Sequence, residues 1–113
     1  MVKLPREIDL GNAPRLHREA ARIIDERVGR LRLLVLDLTD TTFIDSRGIE
    51  LIAATGERTR RRGAALRLAV TEPQVARILT LTNLRRDVPV YASVVEAITG
   101  RPWEVPGPRP TES

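Results

Sequence analysis

Ser46 sits between a carboxylate and an arginine-glycine pair, in the order Asp45-Ser46-Arg47-Gly48. The chain reaches it from the apolar run Leu33-Leu34-Val35-Leu36-Asp37-Leu38, through Thr39-Asp40-Thr41-Thr42-Phe43-Ile44. The run reads as a buried strand and the residues after Ser46 as a helix. A hydroxyl at that handover is exposed, with helix amides directed at it. It can accept a phosphate or meet a partner there. Asp and Ser are also ordinary helix caps, and either Asp45 or Ser46 can fill that role alone.

Other reactive groups are few. The one histidine is His17, placed on the first helix among polar neighbours, which reads as a solvated side chain. A Ser–His–Asp arrangement would need His17 and Ser46 to meet, and nothing in the sequence brings them together. There is no cysteine, hence no thiol nucleophile, disulfide or thiolate metal site. Neither the Walker spacing nor G-x-G-x-x-G occurs. Asp37, Asp40 and Asp45 lie close in sequence but read as turn formers and caps, not as metal ligands. No catalytic residue, metal or cofactor is expected. A small hydrolase or nucleotide-binding enzyme is the reading these residues support least.

These groups must be carried by one small body. A length of 113 residues allows one domain with one core. With 42% apolar but only 3% aromatic residues, that core must be built from Leu, Ile, Val and Ala. The net charge of +4 is carried by arginine, most densely at Arg58-Thr59-Arg60-Arg61-Arg62. That run closes a helix, where cations complement the dipole. It lacks interleaved aromatics that would stack on bases, so nucleic acid is not an expected partner. No apolar stretch approaches the roughly 20 residues of a membrane helix. Met1-Val2-Lys3-Leu4-Pro5 has no signal-peptide pattern, and a cytoplasmic location is expected.

The first ten residues read as extended, with Val2, Leu4, Ile8 and Leu10 on one face and Pro5 interrupting. Asn12 then caps a helix with Pro14 in its first turn, Leu16, Ala20, Ile23, Ile24 and Val28 as its stripe and Gly29 as its stop. After the strand over 31–38, the helix beyond Ser46 is expected to bury Ile49, Ile52 and Ala53. Gly56 lets it approach the sheet and Gly63 ends it. Leu66, Leu68 and Val70 alternate as the next strand. Thr71-Glu72-Pro73-Gln74 reads as a capping box opening a helix with Val75, Ile78 and Leu79 inward. Val88-Pro89-Val90-Tyr91 reads as a short strand near an edge, and Ser93-Val94-Val95-Glu96 as a second capping box, opening a helix that ends near Gly100. Residues 101–113, with Pro102, Pro106, Pro108 and Pro110, read as a disordered tail, with Trp103 able to pack on the body. The expected fold is α/β, a mainly parallel central sheet with helices packed against it, in one domain over residues 1–100.

Taken in order, these features resemble the STAS domain family, and within it the bacterial anti-sigma factor antagonists. The resemblance covers roughly residues 4–99. It rests on Glu7-Ile8-Asp9 with Ala13-Pro14 and Leu16, and on Leu33 to Leu38 followed by Phe43-Ile44-Asp45-Ser46-Arg47-Gly48. It rests also on Gly63 with the strand from Leu66 to Val70, and on Pro73, Val75, Ile78, Leu79 and Leu84. The resemblance implies that Ser46 is phosphorylated by a partner that is both anti-sigma factor and serine kinase, and that the unmodified form binds this partner and frees the sigma factor. It implies a phosphatase that resets the switch. Asp9 matches a family aspartate that supports the kinase contact, so the implied partner-binding set is Asp9, Asp45, Ser46, Arg47 and Gly48. Two departures stand out. Arg47 replaces a residue that is often small or hydroxylated in the family. The family's first strand is shortened or missing here, which would leave a sheet edge open to another chain, a homodimer among the outcomes. The alternative reading is a STAS scaffold that is never phosphorylated and serves in a larger signalling or lipid-transport assembly.

Overall fold

In the computed structural model of the chain, described over residues 1–27, 29–82, 84 and 87–101, two strand pairings set the architecture. Strands β1 (Val2–Lys3), β3 (Leu33–Leu38), β5 (Ala65–Val70) and β6 (Val90–Tyr91) form one sheet in the order β1-β3-β5-β6, every pair parallel. Strands β2 (Glu7–Ile8) and β4 (Phe43–Ile44) form a separate parallel pair. Between them run helices α1 (Ala13–Glu26), α2 (Ser46–Arg61), α3 (Pro73–Leu81) and α4 (Val94–Thr99). The mainly parallel α/β sheet is thus as the alternation of patterns implies, with the first strand short and at the edge.

Side-chain alternation between two covered faces explains why β3 is apolar at every position except Asp37. Leu34, Leu36 and Leu38 enter the main core with Leu16 and Ile24 of α1, Leu51 and Ile52 of α2, and Val75 and Leu79 of α3. Val35 faces the other way, into a smaller cluster with Ala69 and with Ala97 of α4. Both faces are therefore covered. Gly29, Gly63 and Gly100 follow α1, α2 and α4 with positive φ, as stops should.

Several local expectations shift. Leu10 is not on the buried face of an extended segment. The chain turns after Ile8, and Leu10 is 63% exposed. Ala53 is exposed, while α2 buries Leu51, Ile52, Thr55 and Thr59. Those threonines are tolerated inside because each hydroxyl donates to its own helix, Thr55 to the Leu51 carbonyl at 2.8 Å and Thr59 to that of Gly56 at 2.9 Å. Ile49 is half-buried against the core. The cap of α3 is Glu72, not Thr71, with its carboxylate accepting from the Gln74 N–H. The Thr71 hydroxyl instead donates to the Thr39 carbonyl at 2.7 Å, joining the ends of β5 and β3. Ser93 caps α4 as expected, and Glu96 reaches back one residue further than in a capping box, to the Ala92 N–H. Val28 and the tail from Pro102, with Trp103, lie outside the described residues.

Candidate functional site

The site is built where β2 and β4 end side by side. Ile8 pairs with Ile44, and both are buried, so Asp9 and Asp45 leave the strands together. The Asp45 N–H donates to the Ile8 carbonyl at 3.1 Å. Its carboxylate then works in two directions. Oδ1 accepts from the Arg47 N–H at 2.9 Å and the Gly48 N–H at 3.1 Å, capping α2, while Oδ2 accepts from the Leu10 N–H at 3.2 Å. One side chain thus fixes both the start of α2 and the loop from β2 to α1.

Asp9 anchors the facing loop. Its carboxylate accepts from the Gly11 N–H at 2.9 Å, and its carbonyl accepts from Asn12 and Ala13. Asn12 stands at the cap position of α1, but its side chain makes no capping bond. It bridges the loop instead, accepting from the Asp9 N–H and donating to the Glu7 carbonyl at 2.7 Å.

Ser46 is the first residue of α2 and is exposed. Its hydroxyl makes no hydrogen bond to any described residue. The amides expected to face it are not free for that purpose, because the Asp45 carboxylate holds those of Arg47 and Gly48. The guanidinium of Arg47 lies along the helix and pairs with Glu50 at 3.3 Å. Gly48 is buried against the strand pair. A Cβ there would stand 2.4 Å from Ile44 Cγ1 and 2.9 Å from Ile8 Cγ2. Gly48 therefore sets how closely α2 approaches β2 and β4, and with it the position of Ser46.

Packing of α1 against α2 also brings His17 to this end of the molecule. It is half-buried, not solvated, and lines a groove of about 230 Å³ with Leu10, Pro14, Arg47, Glu50 and Leu51. No hydrogen bond joins it to Ser46 or to an aspartate among the described residues, so no triad forms. Its spacing of four from Ala13 and three from Ala20, both buried, marks the edge of the α1 stripe. Leu10 and Phe43, both more than half exposed, complete the apolar rim of this end.

The remaining carboxylates do not join this group. Asp37 is buried and accepts from the Thr39 hydroxyl at 2.6 Å and the Thr39 N–H at 2.9 Å, while Lys3 bridges Asp37 and Asp40. Burial pushes the Asp37 carboxyl up, but the Thr39 hydroxyl, the Thr39 N–H and the Lys3 charge together outweigh it and hold its pKa below the ordinary value. A lowered folded-state pKa gives stability that is present above the unfolded value and lost as pH falls through the folded one. Urea midpoints should therefore separate wild type from Asp37→Asn at neutral pH and converge as the solution is acidified below the usual carboxylate range. A gap that stayed constant with pH would overturn this account. Among the described residues no group of His, Asp and Glu is arranged to hold a metal ion. No helix among them is long and apolar enough to cross a membrane.

A strand pair delivering an Asp-Ser-x-Gly segment to the start of a helix, beside a parallel sheet, is the arrangement of a STAS domain. Residues 1–97 match the STAS domain family, and the chain belongs to it. It is 25% identical over 99 residues to an anti-sigma F factor antagonist of Paenibacillus polymyxa, covering 88% of this chain and 83% of that one. The crystal structure of an anti-sigma factor antagonist from Mycobacterium paratuberculosis superposes with a TM-score of 0.77 at 26% identity, covering 87% of this chain and 80% of that one. A crystal structure of a Thermotoga maritima protein matches with a TM-score of 0.73 at 26% identity, covering 86% and 82%.

Proposed function

We propose that this chain is an anti-sigma factor antagonist, a cytoplasmic binding protein whose contact with an anti-sigma factor kinase is broken by phosphorylation of Ser46. The observation that carries this reading is the division of labour at the start of α2. Asp45 takes the cap, which leaves the Ser46 hydroxyl exposed and unengaged. Relatives of the same fold bearing the antagonist name support the partner class. Asp9, Asp45, Arg47 and Gly48 are assigned to the partner surface or its support, and the body up to Gly100 is taken as the domain that performs the role.

A phosphate on Ser46 would add roughly −1.5 to −2 charge. On this reading the addition disturbs a partner more than it would at an empty helix N-terminus. The amides of Arg47 and Gly48 are already held by Asp45, so the phosphate stands beside a carboxylate on the surface instead of in a ready cradle. The fold need not change, since an anion near a helix N-terminus is favoured by the dipole. The face offered to the partner changes while the body stays rigid.

Intact-mass spectrometry after incubation with ATP and a candidate anti-sigma kinase tests the proposal. The wild-type chain should gain one phosphate and Ser46→Ala none. Ser46→Ala should unfold within about 0.5 kcal/mol of the parent, because the residue is exposed and its hydroxyl is unbonded. A phosphate gained equally by Ser46→Ala would place the switch elsewhere. A chain that binds the anti-sigma factor but never gains phosphate would favour the unphosphorylated scaffold.

A further inference from the structure

The arginines that close α2 are only half of a larger feature. The loop after α1 supplies Arg27, Arg30 and Arg32, all exposed, and none has a carboxylate partner among the described residues. Both groups fall at one end of the molecule. Asp25, near the end of α1, pairs with Arg58 at 2.8 Å and Arg62 at 3.2 Å. The Ala65 N–H donates to the Arg32 carbonyl, so the starts of β3 and β5 are adjacent. Ser46 begins α2, whereas this cluster surrounds its other end, fifteen residues on. A helix of that length separates the two poles by roughly 20 Å.

The four arginines that close α2, Arg58 and Arg60 to Arg62, are not equivalent to the three of the loop. Arg58 and Arg62 are held by Asp25, and Arg60 and Arg61 by Glu57. The loop guanidiniums stand around a shallow basin of about 550 Å³ that the half-buried Leu31 and Leu33 also line. Unpaired guanidiniums grouped on one surface suit carboxylates carried on a polypeptide. No aromatic side chain lines the basin to stack on bases.

We propose that this basic basin is a second interaction surface that takes an acidic polypeptide segment, through Arg27, Arg30 and Arg32. It lies at the far pole, so it can be occupied in either state of Ser46. The proposal does not rest on the Ser46 switch.

The test uses the full chain with poly-L-glutamate as probe, followed by amide NMR shifts and by fluorescence anisotropy. Shifts are expected at residues 27–33, with the amides of residues 45–50 unmoved. The triple variant Arg27→Glu, Arg30→Glu, Arg32→Glu should bind roughly tenfold more weakly or worse. Arg77→Glu, exposed on α3 and outside the basin, should bind as wild type, and circular dichroism checks that each variant is folded. Should the triple variant fail to fold, Arg30→Gln alone with the shift map decides. Shifts centred on residues 45–50, or no loss in the variants, would overturn the proposal. So would tighter binding of duplex DNA or of phosphatidylglycerol vesicles at the same salt.

Discussion

Ser46→Asp is expected to fold as the parent does and to lose its anti-sigma factor by roughly a hundredfold or more. Folding is preserved because position 46 is exposed and lies in the first turn of α2, where a negative side chain is favoured by the helix dipole. Binding is lost because the new carboxylate stands next to Asp45, which cannot move away. Asp45 is committed to the amides of Arg47, Gly48 and Leu10. A partner surface shaped for a neutral hydroxyl would have to bury an unpaired charge there, and a buried, unpaired charge is among the costliest defects of an interface. Arg47 is a nearby cation able to soften this, and its pairing with Glu50 holds it along the helix. The double variant Ser46→Asp, Glu50→Gln should therefore recover part of the lost affinity. Titration calorimetry with the purified anti-sigma factor, beside urea unfolding of the same samples, separates binding from folding. Tight binding by Ser46→Asp would sink the charge-switch mechanism.

Gly48→Val is expected to lower stability by about 3 kcal/mol, as overpacking of a close-packed site does. The Cβ alone would meet Ile44 Cγ1 at 2.4 Å and Ile8 Cγ2 at 2.9 Å, and both isoleucines are buried. Neither atom is the loose end of a side chain, so relief requires moving α2 off the strand pair. Gly56, in the same helix, provides the comparison. A Cβ there would meet Val88 Cγ2 at 3.2 Å and Leu66 Cδ2 at 3.5 Å, contacts that a small adjustment relieves. Alanine in a helix interior is favoured over glycine by about 1 kcal/mol, so Gly56→Ala should be near neutral. Urea unfolding of the two variants checks the contrast. If Gly48→Val matched the parent while Gly56→Ala did not, the close approach of α2 would not be where it is drawn. Because Gly48 positions Ser46, a Gly48 variant that still folds should also accept phosphate more slowly.

How far the chain could be read without its structure depends on the range of the interaction concerned. Strand β3 was legible because its apolar run needs no distant information, and the ends of α1, α2 and α4 were legible because Gly29, Gly63 and Gly100 carry the stop within themselves. The handover at Asp45-Ser46 was legible for the same reason. What Asp45 does there was only half legible. Its caps on Arg47 and Gly48 lie within three residues, whereas its bond to Leu10 spans thirty-five. Ala53 was placed inward, and Thr55 and Thr59 were not named for the core, because hydropathy ignores a hydroxyl satisfied by its own helix. His17 read as solvated because its sequence neighbours are polar, and only the packing of α1 on α2 makes those neighbours irrelevant.

The sequence by itself determined the order of the four helices and the longer strands, the α/β class and the serine at a helix start, since periodicity, caps and glycine stops act within a few residues; the two-residue strand β4 and the split of residues 1–10 into β1 and β2 were not legible. Tertiary structure alone decided which residues share a pole. Parallel pairing of β2 with β4 sets Asp9 beside Asp45, and burial of Gly48 against Ile8 and Ile44 sets the height of Ser46. Antiparallel travel of helix and strand gathers Arg27, Arg30 and Arg32 with the end of α2, thirty residues away. Such neighbours are made by chain reversal and close packing, which no local pattern encodes.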